Sequence, residues 1–199
     1  MNRFYKGMHF VLAPILRLLF RIKVEGLENI PAGEGVVFCA NHSAAIDPLL
    51  FCVALPRSVP VAIMAKAEVM RLPVIGAFFR ALGAFSVLRG SSDMQAIRYA
   101  IKTVKEGANL LVFPEGTRVK IPGRVRAKGG IVMIAMRTGA QLLPVYIGGK
   151  KRVFGGVRVA FGAPYHAETA SRRATAEEYQ RFADDALKRI YALGGVDIT

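Results

Sequence analysis

Short apolar runs alternate along this chain with segments whose apolar residues recur at helical spacing. The runs at residues 35–40, 59–64 and 109–113 contain no charged residue and are too short to be ordinary helices. Before the last of them, residues 92–107 place their apolar side chains on one helical face, begin with a capping box and end at a glycine. This alternation predicts a single α/β domain in which helices flank a mixed or mostly parallel sheet.

The pattern continues to the end of the chain. Thr175 and Glu178 form a capping box that predicts the start of a final helix. Pro144 lies inside an apolar run, and since proline cannot donate to a β-ladder, we expect its strand at a sheet edge or a bulge. The remaining predicted elements are a helix at Ile131–Arg137 and strands at Phe85–Leu88, Leu142–Ile147 and Arg158–Phe161.

A first polar motif, NHSAAIDP from Asn41 to Pro48, directly follows one of the apolar runs. Functional groups of α/β sheets collect beyond the carboxyl ends of strands. On a regular helix, His42 and Asp47 would point apart, but they meet if His42 lies in the turn and Asp47 in the helical turn after it. A carboxylate on one imidazole nitrogen leaves the other free as a general base. The sequence lacks a G-x-S-x-G nucleophile motif, so the substrate is expected to supply the hydroxyl. The alternative is a capping aspartate beside a surface histidine.

A second motif, FPEGTR from Phe113 to Arg118, ends the run at 109–113. Gly116 permits a tight turn, Thr117 offers a hydroxyl, and the Arg118 guanidinium suits phosphate. Glu115 is a poor phosphate ligand, but it suits substrate hydroxyls or a contact with Arg118. No Asp or Glu occurs from Gly116 to Ala167, although this stretch is rich in Lys and Arg. It therefore indicates an anion site or a surface that faces an anionic membrane.

The N-terminal segment has the composition of an interfacial helix. The chain carries a net charge of +14 although 53% of its residues are apolar, a combination that a membrane surface explains. We therefore divide the chain into an amphipathic helical membrane anchor, residues 1–22, and a domain, residues 23–199. We expect no spanning helix. A helix packed on the core is the alternative. The cations assigned to anionic headgroups are Arg3, Lys6, Arg17 and Arg21, together with Arg71 and Arg80 in a second apolar region, Met70–Phe85.

The two cysteines, Cys39 and Cys52, lie inside apolar runs. We interpret them as buried free thiols in a reducing compartment, although a bridge between them stays open. The sequence has no pattern of metal-ligand spacing, so we expect no metal.

NHxxxxDP followed by FPEGTR resembles the glycerolipid acyltransferase family, the 1-acylglycerol-3-phosphate acyltransferases. The resemblance covers about residues 20–165. It includes Lys66 in MAKAE, the block Gly83–Arg89, the basic stretch Arg126–Gly130, and Leu143–Ile147. Arg126 stands where the family usually has an aromatic residue.

The resemblance implies that His42, oriented by Asp47, deprotonates the 2-hydroxyl of lysophosphatidic acid. That oxygen would then attack an acyl thioester without an acyl-enzyme, to give phosphatidic acid for phospholipid biosynthesis. Acyl-CoA or acyl-carrier protein is the implied donor, with no further cofactor. The implied location is peripheral, on the cytoplasmic face of a membrane. The residues implied for the acceptor and its phosphate are Lys66, Arg89, Glu115, Gly116, Thr117, Arg118 and Lys128.

Three other functions share part of this sequence pattern. A nucleic-acid-binding protein should interleave aromatic residues with its cations, but residues 116–158 contain only Tyr146 and Phe154 as aromatics, so we expect no nucleic acid partner. A basic, non-catalytic membrane-binding protein would not need a His–Asp pair. An acyltransferase of the same family acting on glycerol-3-phosphate or another lysolipid stays open.

Overall fold

The structure is a computed structural model that describes residues 3–33, 35–81, 84–87, 94–167 and 174–198. Its centre is a seven-stranded sheet with the order β1-β7-β6-β2-β5-β3-β4. Neighbouring strands are parallel except β6 and β7, which confirms the predicted mixed, mostly parallel sheet. The strands are β1 (Ile22–Glu25), β2 (Val37–Ala40), β3 (Val61–Lys66), β4 (Ala84–Val87), β5 (Asn109–Val112), β6 (Leu142–Gly149) and β7 (Val157–Phe161).

Helices cover both faces of the sheet, so β2 is buried on both sides. Phe38 and Ala40 join the core under one layer of helices, and Val37 and Cys39 join the core under the other. This double burial explains why the run is continuously apolar instead of alternating. The first layer contains α1 (Arg3–Leu19), α2 (Asp47–Ala54), α3 (Ala67–Arg71) and α4 (Pro73–Ala81), and the second contains α5 (Met94–Lys105), α6 (Gly130–Thr138) and α7 (Ala176–Ala192).

The predicted helix signals are confirmed where the structure describes them. Thr175 Oγ1 accepts a hydrogen bond from the Glu178 amide at 3.2 Å, and the Glu178 carboxylate accepts one from the Thr175 amide at 2.8 Å. This capping box starts α7. After α5, Gly107 adopts the left-handed φ of 83° that favours glycine. The other proposed capping residue, Ser92, lies outside the described residues.

Of the two positions predicted for Pro144, the edge strand is wrong and the bulge agrees with the structure. β6 lies inside the sheet between β2 and β7, and Pro144 is aligned with Cys39 of β2. The regular pairing of β6 with β7 begins only at Val145, opposite Phe161. Pairing with the segment after β7 resumes at an isolated antiparallel bridge between Leu142 and Tyr165. Residues 162–164 thus lie opposite residues 143 and 144, so Pro144 lies at a bulge, where its missing N–H interrupts no regular pair. Its carbonyl still accepts a hydrogen bond from the Gly162 amide at 2.8 Å.

The N-terminal helix α1 packs with one side on α2. Ala13 is buried, whereas the Phe10 and Leu18 side chains are about three-quarters exposed, at 75% and 74%. Arg17 needs a correction: it donates hydrogen bonds to carbonyls of α2 instead of being free for headgroups. Arg80 likewise donates to the Met70 carbonyl. In the part of the chain that the structure describes, no helix combines the length and apolarity needed to cross a membrane.

Both cysteines are buried free thiols. Burial raises the pKa of Cys52 to about 12 and raises that of Cys39 even further. They are therefore packing residues and not reactive groups.

Candidate active site

The two sequence motifs lie side by side because β2 and β5 are hydrogen-bonded neighbours. The parallel strands β2 to β6 all end at the same edge of the sheet. NHSAAIDP leaves this edge from β2 and FPEGTR leaves it from β5. The sheet topology therefore creates one candidate site from residues about seventy positions apart in the chain.

His42 and Asp47 are in contact. His42 lies in the loop after β2, and Asp47 is the first residue of α2, so the geometric condition set by the sequence is met. His42 Nδ1 lies 3.0 Å from Asp47 Oδ2. The same oxygen accepts hydrogen bonds from the backbone amides of Ser43 and Ala44, each at 2.7 Å. These bonds hold the carboxylate against the ring.

The backbone and the ring of His42 are held from the neighbouring strand. Its amide donates to Glu115 Oε2 at 2.6 Å, and its carbonyl accepts from the Val119 amide at 2.7 Å. The ring stacks on Phe113 with 4.3 Å between centroids and 25° between planes. Nε2 has no hydrogen-bond partner among the described residues, and the side chain is 13% exposed. One nitrogen is therefore fixed, and the other is available to a substrate.

Asp47 also contacts a residue that sequence analysis missed. Lys151 Nζ lies 2.6 Å from Asp47 Oδ1, and the two side chains are 9% and 0% exposed. Burial alone would raise the pKa of Asp47, but the hydrogen bond with His42 and the Lys151 charge together hold it below its ordinary value. The three adjacent cations at 150–152 offered no signal that singled out Lys151.

Glu115 is buried and both of its oxygens have partners within the chain. Oε2 accepts from the His42 amide, and Oε1 accepts from the Tyr191 hydroxyl of α7 at 2.5 Å. Burial raises the pKa of Glu115, against the lowering effect of these bonds. No contact with Arg118 is made within the described residues. Tyr191 was missed because nothing in the sequence of α7 relates it to a motif 76 positions earlier.

Gly116 and Lys128 form the surface of the FPEGTR turn. Gly116 has a left-handed φ of +64°, and a Cβ there would come within 3.2 Å of Lys128 Cγ. The Lys128 amide donates to the Pro114 carbonyl at 2.7 Å. Thr117, Arg118 and Lys128 are exposed. The turn thus presents a hydroxyl and two cations to solvent beside His42.

The other two predicted phosphate ligands are only partly described. Lys66 is the last residue of β3, at the same edge as His42, but its side chain lies outside the description. Arg89 lies outside the described residues entirely. Arg126, where the sequence departs from the family pattern, pairs with Asp184 of α7 at 3.1 Å.

Comparison with known proteins gives consistent matches. An acyltransferase family model matches residues 21–148. The 1-acyl-sn-glycerol-3-phosphate acyltransferase of Bacillus subtilis is 34% identical over 168 residues, which cover 81% of this chain and 82% of that protein. The enzyme of that name from Borreliella burgdorferi is 37% identical over 127 residues, 63% of this chain but only half, 50%, of that protein. The crystal structure of the 1-acyl-sn-glycerophosphate acyltransferase of Thermotoga maritima aligns with a TM-score of 0.66 at 26% identity, over 96% of this chain and 78% of that one.

Proposed function

Since this chain belongs to the 1-acyl-sn-glycerol-3-phosphate acyltransferase family, we propose that it acylates the 2-hydroxyl of 1-acylglycerol-3-phosphate. The donor is a long-chain acyl thioester, either acyl-CoA or acyl-carrier protein, and the product is phosphatidic acid. The observation that carries this proposal is the His42–Asp47 pair, in which Nδ1 is bound and Nε2 has no partner in the described part of the chain.

The reaction follows from that geometry. As the acceptor oxygen attacks the thioester carbonyl, His42 Nε2 takes the hydroxyl proton. The carbon–sulfur bond then breaks, and the thiolate leaves with the proton that His42 carries. Asp47 stabilises the transient imidazolium through Nδ1. The acceptor supplies the nucleophile, so the chain needs no acyl-enzyme.

The acceptor phosphate is expected at the cationic surface beside His42. Arg118 and Lys128 are exposed next to the turn that also supports His42, and a guanidinium binds phosphate in a bidentate manner. Thr117 adds a hydroxyl, and Gly116 keeps the turn close to the ligand. Lys66, the last residue of β3, and Arg89, whose placement the structure does not describe, are proposed as further phosphate ligands on the family resemblance. Glu115 shapes the site by holding the His42 backbone.

The substitution His42→Ala tests this function. Because the variant lacks the general base, we expect kcat/KM with lysophosphatidic acid and either donor to fall about 10³-fold, while vesicle binding is unchanged. His166→Ala is the matched control, since His166 is an exposed histidine away from the motifs.

The same assay separates the alternatives. Full transfer by His42→Ala would contradict the mechanism. Wild-type transfer to glycerol-3-phosphate or another lysolipid, but not to lysophosphatidic acid, would identify a different acceptor in the same family. Vesicle binding without any transfer would indicate a basic membrane-binding protein.

The membrane proposal rests on an exposed apolar surface at the active-site edge. In α1, Phe10, Val11, Ile15 and Leu18 are between 48% and 75% exposed. The β6–β7 turn adds Val153 and Phe154, at 52% and 59%. The Phe154 amide donates to the Leu19 carbonyl at 2.6 Å, which places the turn beside the end of α1. We propose that this surface lies peripherally on an anionic bilayer, at its cytoplasmic face.

A further inference from the structure

The Asp47 carboxylate is shared between the candidate base and a largely buried cation, Lys151. Building on the proposed reaction, we infer that Lys151 is a positioning residue, which holds Asp47 for His42 and sets the pH range of acyl transfer. Oδ2 of Asp47 contacts His42 Nδ1 and two backbone amides. Oδ1 contacts Lys151 Nζ at 2.6 Å. His42 and Lys151 therefore each hold one oxygen of the carboxylate, and together they fix its plane.

The ammonium group of Lys151 also fixes the loop between His42 and Asp47. It donates a hydrogen bond to Ser43 Oγ at 2.5 Å, in addition to its contact with Asp47. The Lys151 side chain is 9% exposed, whereas its neighbours Lys150 and Arg152 are exposed residues. Lys151 thus differs in environment from the cations on either side of it.

The backbone that leads to Lys151 is anchored to the residue that precedes His42. The Asn41 side chain donates to the Ile147 carbonyl at 3.1 Å and accepts from the Ile147 amide at 2.7 Å. Two residues after Ile147, β6 ends at Gly149, and the Lys150 amide donates to the Gly156 carbonyl at 2.9 Å to close the turn. The backbone position of Lys151 is therefore determined by the sheet.

The charges around the His42 imidazole are the reason why we expect Lys151 to change the pH range of acyl transfer. Asp47 faces the ring from α2, Glu115 lies under its backbone from the β5 loop, and Lys151 faces Asp47 from the β6–β7 turn. A carboxylate beside an imidazole favours the imidazolium, which is not a base. A cation on the same carboxylate opposes that effect. Lys151 therefore offsets part of the Asp47 charge that faces the imidazole.

The substitution Lys151→Met tests this inference, with Lys150→Met as the matched control. For Lys151→Met we expect the acidic limb of the kcat/KM–pH profile to move up by about one pH unit. We also expect kcat at pH 7 to fall at least about tenfold, with less than a twofold change in KM for the acceptor. Lys151→Arg should restore most of the wild-type profile, since it keeps the charge. Lys150→Met should match the wild type.

The outcomes are distinct. A folded Lys151→Met enzyme with an unmoved acidic limb, or with a change confined to KM, would overturn the inference. If Lys151→Met does not fold, Lys151→Gln tests the same limb, because its amide can still donate to Ser43 without a charge. A wild-type chain without transfer to any acceptor would refute the proposed function instead.

Discussion

At the scale of single residues, Glu115 shows how one side chain connects three elements. It belongs to the loop after β5, accepts from the amide of His42 after β2, and accepts from the hydroxyl of Tyr191 in α7. A buried carboxylate with two good donors is stable only while both remain in place. The glutamate of FPEGTR therefore supports the position of His42 from within the protein.

The pH dependence of stability tests this role. We expect Glu115→Gln to lower the free energy of unfolding by about 1–3 kcal/mol at pH 4.5, because a neutral carboxyl group can still accept on both oxygens, whereas an amide accepts on one. Burial raises the pKa of Glu115 in the folded state. The stability that wild-type Glu115 contributes is therefore fully present below its unfolded pKa, and it declines as the pH rises through the folded one.

Glutamine does not ionise, so the deficit of Glu115→Gln should shrink from pH 4.5 to pH 7.5 in urea-unfolding experiments. Glu28→Gln is a control at an exposed position, and its deficit should stay within about 0.5 kcal/mol. A Glu115→Gln deficit that widens with pH would argue against this assignment.

At the scale of elements, Arg17 ties α1 to α2. Its guanidinium donates to the Val53 carbonyl at 2.7 Å, to the Ala54 carbonyl at 3.1 Å and to the Leu55 carbonyl at 3.4 Å. These carbonyls lie at the carboxyl end of α2, where unpaired oxygens and the helix dipole favour a cation. Asp47 begins the same helix. The N-terminal helix is thus attached to the element that carries part of the candidate site.

Loss of this contact should destabilise the fold. We expect Arg17→Met to lower the free energy of unfolding by about 1.5–3 kcal/mol, because charged donors to buried carbonyls contribute that much. Chemical denaturation measures it. Arg98→Met, on the exposed side of α5, is the control and should change stability by less than about 0.5 kcal/mol. Equal stability of the two variants would mean that Arg17 does not cap α2.

At the scale of the whole molecule, exposed apolar residues and cations both lie at the active-site edge of the sheet. The strands β2 to β6 end there, and β7, which is antiparallel to β6, begins there. The exposed apolar residues of α1 meet the β6–β7 turn at this edge through the bond between Phe154 and Leu19. A chain with a charge of +14 is thus able to place its apolar surface and its candidate site against one anionic layer.

Vesicle sedimentation tests that placement. We expect the double substitution Phe10→Ser and Leu18→Ser to reduce binding to anionic vesicles at least about tenfold, since two large side chains no longer insert. Binding should weaken with salt, as expected for headgroup attraction. Met94→Gln, at the start of α5 on the opposite helical layer, is the control. Equal binding of the double variant and the wild type would exclude α1 from the membrane contact.

Much of the local structure was predictable because its signals are local. The buried run of β2, the capping box at Thr175 and the left-handed glycine after α5 each depend on a few adjacent residues. His42 and Asp47 are close in the chain, so the sequence could state the condition under which they meet, and the structure satisfies that condition. The edge position of Pro144 was wrong because strand order depends on which strands pair, and the residues around a proline do not reveal its neighbours.

The sequence by itself determined the α/β class, the two polar motifs and the family to which they point. Only the tertiary structure decided which partner each of several polar side chains contacts. It placed Arg17 on the end of α2, Lys151 on Asp47, and Tyr191 under Glu115. The physical reason is that these contacts join residues 36 to more than 100 positions apart. The packing of the sheet and its helices determines these partners. Cations that look alike in the sequence therefore have different contacts only in the folded protein.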